Sequence, residues 1–263
     1  GLYNPAERYM PDYDMLKTVK KWSDWNSSIL FTSRGCIRNC PFCVVPKLEG
    51  KICSADISIK DYIYPGHKKI ILWDNNFLAS PRWKESTNEL KEIGLWVDFN
   101  QGLDARLVDD EKARMLADLK IDIYRLAYDS MVEAKAVRKA VNLLNDYGVK
   151  GRSILSYCIY NFYNNLNSEG DSPSEFLARL NDIFSLNCVA YPMRFEPLDS
   201  LWKGKYISPL WKDYQLESIA KARRVIGYGG AFPPYEGLIN KLKSAKNFDE
   251  AFQLRVPKNS IRK

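Results

Sequence analysis

The sequence predicts an α/β fold in which parallel strands alternate with helices. Short apolar runs and amphipathic segments follow one another along most of the chain, which is typical of a parallel sheet with helical crossovers. Hydrophobic residues make up 46% of the chain and aromatic residues 13%, which is enough for a large buried core and excludes intrinsic disorder. A length of 263 residues fits either one α/β barrel or two smaller domains.

Strands are predicted where short apolar runs stand between turn-forming residues. Six segments have this pattern: 28–32, 69–73, 96–100, 123–128, 153–159 and 189–195. Helices are predicted between them where apolar residues recur at helical spacing, at about 55–64, 82–93, 110–119, 131–147 and 173–186. The last two helices have recognisable ends. Gly148 stands where a left-handed residue ends many helices, and Ser172 with Glu175 forms a capping box around Pro173.

Three cysteines stand close together, at Cys36, Cys40 and Cys43. Thiolates at this spacing are typical ligands of iron-sulfur clusters or of zinc. A structural zinc site and a closed cluster each take four ligands from the protein, so three thiols leave one metal position open for catalysis. Two alternatives stay open: His67, the single histidine, completes a Cys3His zinc site, or the three thiols are reduced surface groups.

The C-x3-C-x2-C spacing, with Phe42 directly before the third cysteine, resembles the signature of the radical S-adenosylmethionine (radical SAM) superfamily. The resemblance implies a partial (β/α)6 TIM-like barrel over residues 25–200, with the cysteine loop directly after the first strand. It also implies that Cys36, Cys40 and Cys43 hold a [4Fe-4S] cluster whose fourth iron binds SAM. An electron from a donor such as flavodoxin or ferredoxin then cleaves SAM to methionine and a 5'-deoxyadenosyl radical, which abstracts hydrogen from the substrate.

Polar residues near the strand ends are the candidate SAM ligands, because catalytic residues of parallel barrels lie at the carboxyl ends of the strands. Asp74, Asn75 and Asn76 follow the second strand, where many radical SAM enzymes have a Gly-Gly-Glu-like motif that binds the methionine amino group. Carboxylate and amide oxygens accept the same hydrogen bonds, although Asp and Asn are also common turn residues. The other candidates are Phe42, Gln101, Arg106, Arg125, Asp129, Asn161 and Arg194.

Several candidates also have a purely structural interpretation. Arg106 would pair with Asp104 at the rim of the barrel, and Asp129 or Ser130 would cap the helix that follows. Arg125 is more informative, since an arginine within an apolar strand needs a partner or a ligand.

The remaining cysteines are widely separated in the sequence. Cys158 is a candidate hydrogen-atom donor, because a thiol can quench a carbon radical. A small buried thiol is the simpler interpretation of Cys158, and of Cys53 and Cys188 as well.

The two ends of the chain differ from its middle. Residues 1–24 are interpreted as an N-terminal arm, and residues 201–263 as a basic, aromatic-rich helical extension. The extension contains 13 Lys and Arg against 5 Asp and Glu, interleaved with rings such as Trp202 and Trp211. Phosphates are attracted to such surfaces and bases stack on such rings, so a nucleic-acid or nucleotide contact is predicted; an ordinary solvated helix face is the alternative.

The expected function is a radical SAM enzyme that acts on an anionic substrate, either a nucleotide or a nucleic-acid base. A peptide or partner enzyme as the target, in a maturase or activase, is the first alternative. A non-catalytic zinc-stabilised binding module is the second. No charged-then-apolar leader and no apolar run of ~18 residues is found, so a cytoplasmic protein without a membrane span is expected.

Overall fold

The computed structural model describes residues 9–226 and 236–253, except for the side chains at 223–225 and 238. These residues form two compact units. The first contains the described residues up to Ala127 together with Ala136–Ile154, and the second contains Tyr128–Lys135 and the described residues from Leu155 onward. The domain boundaries predicted after residues 24 and 200 stay predictions.

The first unit is built on short parallel strands. Strand β1 spans Ser27–Leu30, β2 spans Lys69–Leu72 and β3 spans Trp96–Phe99, and they pair in parallel in the order β1-β2-β3. Strand β4 spans Tyr124–Ala127, and a parallel bridge joins its Leu126 to Leu103. Alternate side chains such as Ile70 and Leu72 are fully buried, as expected when one face of a sheet is covered.

Helices follow these strands much as the sequence predicted. Helix α1 spans Trp83–Ile93, α2 spans Asp110–Ala117 and α3 spans Ala134–Asp146. The predicted helix at 55–64 is wrong, since only a 3-10 turn forms there, at Ile59–Tyr62. Isoleucines and aspartates in this segment are poor helix formers, and Ile59 is buried as an isolated anchor.

The described part of the N-terminal arm is anchored to β1. Tyr13 is buried, and its hydroxyl accepts a hydrogen bond from the Ile29 N–H at 2.5 Å and lies 3.4 Å from the Ile29 carbonyl oxygen. Along a strand, the backbone N–H and C=O groups of successive residues point toward opposite edges. Since the Leu30 carbonyl accepts a hydrogen bond from the Trp73 N–H and so faces β2, Ile29 faces the opposite edge, where Tyr13 satisfies its backbone.

The second unit contains the last two strands. Strand β5 spans Ile154–Tyr160 and pairs in parallel with β6, Val189–Arg194. Helix α4, Pro173–Ser185, begins with the predicted capping box of Ser172 and Glu175. All six predicted strands and the α/β class are thereby confirmed, and the hydrogen-bonded sheets of the described residues are open, with no closed barrel.

The described part of the C-terminal extension is helical, as predicted. It contains α5, Asp213–Ile226, α6, Glu236–Ser244, and α7, Phe248–Phe252. Trp211 is buried, with its ring centroid 5.7 Å from that of Tyr160 and 5.6 Å from that of Phe248. This ring therefore belongs to the core of the second unit and is closed to a nucleic acid. None of the described helices has the length and apolar character that a membrane span requires.

Candidate functional site

The cysteine loop leaves β1 through a narrow base. Ser33–Arg34 and Cys53–Ser54 pair as two short antiparallel strands, so the loop begins and ends at the same place. Gly35 has φ +75°, and a Cβ on it would lie 2.3 Å from the carbonyl oxygen of Lys51. Only glycine fits this position, because any side chain would collide with backbone. The Cys36 N–H then donates to the Gly50 carbonyl at 3.2 Å and fixes the first cysteine.

All three loop cysteines are half-buried free thiols. The Cys36 Sγ accepts hydrogen bonds from the Arg38 N–H at 3.3 Å and from Asn76 Nδ2 at 3.5 Å. Such bonds stabilise a thiolate and tune a bound cluster. Within the described ranges, no three His, Cys, Asp or Glu side chains are arranged to hold a metal ion. In a [4Fe-4S] cluster each thiolate binds its own iron, so its ligands do not have to converge on one point.

Asp74 fixes the entrance to this loop. Its buried carboxylate accepts hydrogen bonds from the Thr32 N–H at 3.0 Å, the Thr32 hydroxyl at 2.7 Å and the Ser33 hydroxyl at 2.6 Å. Burial raises the pKa of Asp74, while these hydrogen bonds act to lower it. The structure thus gives this predicted SAM ligand a positioning contact at the base of the loop.

Glu49 was not identified from the sequence, yet it connects several parts of the loop. Its carboxylate accepts hydrogen bonds from the Gly35 N–H at 2.8 Å, from Arg34 at 3.1 Å and from Asn75 Nδ2 at 2.7 Å. One signal for it was present, because Glu49 is the only acidic residue between Arg34 and Lys51. The predicted ligand Asn75 is consequently engaged with the loop through Glu49.

Asp104 lies near the first cysteine and forms ion pairs with two arginines. It accepts from Arg38 Nε at 2.8 Å and from Arg106 Nε at 2.7 Å, and Asn76 Nδ2 lies 3.3 Å from its Oδ2. Burial would raise the pKa of Asp104, but the hydrogen bonds from Arg106 and Arg38 outweigh it and lower the pKa below its ordinary value. The structural pairing of Asp104 with Arg106 is therefore present, and two positive charges meet one carboxylate.

Asn76 contains a buried acceptor atom that no described residue satisfies. It is 3% exposed, and its Oδ1 has no hydrogen-bond partner among the described residues, although its Nδ2 contacts Cys36 and Asp104. A buried acceptor without a donor is costly unless a ligand supplies one. Phe42 is half-buried, and Gln101 is exposed with a long contact of 3.4 Å to Asn100.

Arg125 lies in a different network within the same unit. Its Nη1 donates to Asp98 Oδ1, and Lys69 Nζ lies 2.9 Å from Asp98 Oδ2. The prediction that Arg125 needs a partner is borne out by this contact, and Asp98 and Lys69 were both missed. Their signal was faint, because each is a single charge in an otherwise apolar strand.

The remaining candidates belong to the second unit, where backbone groups engage them. Asp129 Oδ1 accepts from the Ile159 N–H at 3.0 Å, and Asn161 donates to the Tyr206 carbonyl at 3.0 Å and accepts from the Ser208 N–H at 2.9 Å. Arg194 donates to the same Tyr206 carbonyl at 2.8 Å. Asn161 and Arg194 thus contact the segment that follows β6, whereas Asp129 contacts β5.

The scattered cysteines differ in exposure. Cys158 is fully buried, and burial raises its pKa to about 12, which agrees with the interpretation of a core thiol. Cys188 is also buried, but Cys53 is exposed, contrary to the prediction, because it lies on the two-residue strand at the base of the cysteine loop.

His67 is engaged away from the cysteines. Its Nδ1 lies 2.9 Å from the Ser28 hydroxyl, and its ring contacts the Tyr13 ring edge-to-face at 4.7 Å between centroids. Burial lowers the pKa of His67. These contacts disfavour His67 as a fourth ligand of a zinc site.

Comparison with solved structures identifies the fold. The radical SAM methyltransferase TsrM from Kitasatospora setae, with cobalamin and a [4Fe-4S] cluster bound, superposes with a TM-score of 0.51 at 15% identity, over 64% of this chain and 36% of that one. The chain has the radical SAM fold. It spans about a third of the length of TsrM, so the activity of the whole methyltransferase is not transferred to it.

Two further structures have lower similarity. TsrM with tryptophan and a SAM analogue bound gives a TM-score of 0.47 at 14% identity, over 64% of this chain and 35% of that one. The Escherichia coli coproporphyrinogen III oxidase HemN gives 0.49 at 14% identity, over 81% and 56%. No protein-family model matches the chain, and no curated protein matches it either.

Proposed function

We propose that this chain is a radical SAM enzyme whose Cys36, Cys40 and Cys43 hold a [4Fe-4S] cluster. The observation that carries the proposal is the position of the C-x3-C-x2-C loop, directly after β1 of a radical SAM fold, with Cys36 Sγ hydrogen-bonded by Arg38 and Asn76. When bound, the cluster and SAM together supply a radical able to take a hydrogen atom from the substrate, chemistry that the cofactors carry.

The chain offers suitable groups for the methionine end of SAM beside Cys36. The buried Asn76 Oδ1 is an acceptor for the ammonium, and Arg106 with Arg38 carries one positive charge more than Asp104 neutralises, which suits a carboxylate. Phe42 and Gln101 remain proposed contacts for the rest of the molecule. Asp74 and Asn75 act by holding the loop that carries the cysteines.

The proposed substrate is anionic, a nucleotide or nucleic-acid base. Its support is the basic C-terminal extension, in which Trp202 is 72% exposed and is followed by exposed lysines at 203 and 205. Two residues predicted to share this surface, Arg223 and Arg224, lie outside the described side chains. We also propose an electron donor of the flavodoxin or ferredoxin type, because the cluster must be reduced again after each turnover. A cytoplasmic location completes the proposal.

Metal analysis of anaerobically reconstituted protein tests the class. We expect about four irons and four sulfides per chain, the content of one [4Fe-4S] cluster, and dithionite-driven formation of 5'-deoxyadenosine from SAM. Cys40→Ala should abolish both, whereas Cys53→Ala, which removes an exposed cysteine outside the motif, should change neither. Bound zinc without SAM cleavage would instead establish the binding module. Deuterium transfer from labelled nucleotides into 5'-deoxyadenosine would then identify the substrate.

A further inference from the structure

Lys69, Asp98 and Arg125 form a group of charges on the sheet of the first unit. The Lys69 side chain is 32% exposed, that of Arg125 16% and that of Asp98 9%. Two cations share one carboxylate, so the group carries an uncompensated positive charge. Because transfer of charge out of water is costly, a partly buried excess charge of this kind calls for a counter-ion.

The group lies on the sheet face that turns away from the helices. In β4 the neighbouring Tyr124 donates its hydroxyl to the Leu116 carbonyl of α2 at 3.2 Å, so Tyr124 faces that helix. Successive side chains of a strand point to opposite faces, which places Arg125 on the other side. Lys69 likewise alternates with the fully buried Ile70.

The position along the strands relates this group to the cysteine loop. The Leu103 N–H donates to the Arg125 carbonyl at 2.7 Å, and the next residue, Asp104, holds Arg38 of that loop. Asp98 precedes Asn100, the first residue after β3, by two positions, or roughly 7 Å of extended chain. Asp98, which contacts both cations, therefore lies about two residues deeper in the sheet than the strand ends that carry the proposed SAM contacts.

We propose that Lys69 and Arg125 bind an oxyanion of the substrate, a carboxylate or a phosphate, while Asp98 holds the two cations in position. Arg125 uses Nη1 for Asp98, and a guanidinium has further N–H donors that suit an oxyanion as a planar fork. The substrate is then a small acid or phosphate ester whose charged end lies at these residues and whose reacting C–H group lies toward the cysteine loop. This inference rests on the proposed function and extends it.

The test measures anion binding with no electron source, so that it is independent of catalysis. Reconstituted protein saturated with SAM, without reductant and at low salt, is titrated calorimetrically with inorganic pyrophosphate and, separately, with citrate. Lys69→Gln should weaken binding about tenfold, equivalent to ~1.4 kcal/mol, because one cation is lost. Asp98→Asn should strengthen it by about as much, because the amide oxygen can still accept a hydrogen bond from Arg125 and keep it in position, while the competing negative charge is removed.

Lys60→Gln is the matched control, because Lys60 is an exposed lysine of the same unit in an ion pair with Glu92, and it should bind like wild type. A response to pyrophosphate alone assigns the site to phosphates, and a response to citrate alone assigns it to carboxylates. If circular dichroism shows that Asp98→Asn is unfolded, the comparison of Lys69→Gln with Lys60→Gln decides.

Absence of binding by wild type, equal binding by Lys69→Gln and Lys60→Gln, or weaker binding by folded Asp98→Asn would overturn the proposal and leave a structural ion pair. If the protein failed to cleave SAM but wild type and variants still bound the anions in the expected order, only the proposed enzyme class would be contradicted, and the anion site would stand. The two failures are therefore distinguishable.

Discussion

Asn76 Nδ2 lies 3.5 Å from Cys36 Sγ, so the turn after β2 touches the first cysteine of the loop after β1. The same side chain has a buried Oδ1 without a partner among the described residues. The amide of Asn76 thus donates toward Cys36, a proposed cluster ligand, and its oxygen remains able to accept a hydrogen bond from a second group. We take this contact as the geometric centre of the candidate site.

Replacing Asn76 should impair SAM binding more than cluster assembly. Asn76→Ala removes the buried acceptor proposed for the SAM ammonium, a hydrogen bond to a charged group worth about 2 kcal/mol, or roughly thirtyfold in affinity. Iron content should stay near the wild-type value, because all three cysteines remain. Calorimetric titration with SAM checks this, and Asn88→Ala, at a position outside the site on α1, is the control. Unchanged SAM affinity in Asn76→Ala would remove this residue from the SAM site.

Gly35→Ala should disrupt the cysteine loop. A Cβ there lies 2.3 Å from the Lys51 carbonyl oxygen, and the residue has φ +75°, so backbone collision adds to left-handed strain of about 1 to 2 kcal/mol. Gly66 also has a positive φ of +89°, but its Cβ would meet nothing within 4 Å. Gly66→Ala therefore isolates the strain alone. We expect lower iron content only in Gly35→Ala, and a larger loss of unfolding free energy in Gly35→Ala than in Gly66→Ala; equal effects of the two changes would contradict the collision.

The pKa of Asp104 predicts an acid-sensitive contact. Because its pKa is lowered in the folded chain, its contribution to stability is present above the unfolded-state pKa of about 3.9 and is lost as pH falls through the folded-state value. Urea unfolding of cluster-free protein at pH 5 and pH 3 should show a larger loss for wild type than for Asp104→Asn. Equal losses in the two proteins would mean that the contacts of Asp104 with Arg38 and Arg106 do not form.

Thiol labelling should separate the six cysteines. Burial raises the pKa of Cys158 and of Cys188 to about 12, so both should be unreactive toward iodoacetamide at pH 8 in folded protein. Exposed Cys53 should be labelled, while the cluster protects the other three. Mass spectrometry should therefore find a single modified cysteine, and all of them after unfolding with a chelator. Modification of Cys158 in folded protein would contradict its burial and reopen its role as a hydrogen-atom donor.

The sequence predicted the strands well because their apolar runs are local signals. It failed at 55–64, where the segment is held by tertiary contacts such as the burial of Ile59 rather than by helical propensity. It also missed Arg179, which lies fully buried in α4 and donates to the Tyr128 and Ile159 carbonyls at 3.0 Å. An arginine in an amphipathic helix looks like a surface residue until the strands that it contacts are placed.

The candidate site was predictable to a similar degree. The spacing of the cysteines is a local signal, and the strand-end rule located Asn76 and Arg106 near Cys36. The partners Glu49, Asp98 and Lys69 are ordinary charged residues whose meaning depends on register between strands that are distant in sequence. The sequence placed Asp74 correctly at the end of a strand but predicted a contact with SAM. In the structure Asp74 instead contacts Thr32 and Ser33, which follow a different strand.

Electron paramagnetic resonance of the dithionite-reduced, reconstituted protein, recorded with and without SAM, tests the central claim most directly. Three cysteine ligands leave one iron of a [4Fe-4S] cluster open, so we expect a reduced-cluster signal whose g-values shift when SAM is added. Cys36→Ala should lose that signal. A signal that SAM leaves unchanged, or protein that assembles no cluster at all, would contradict the account.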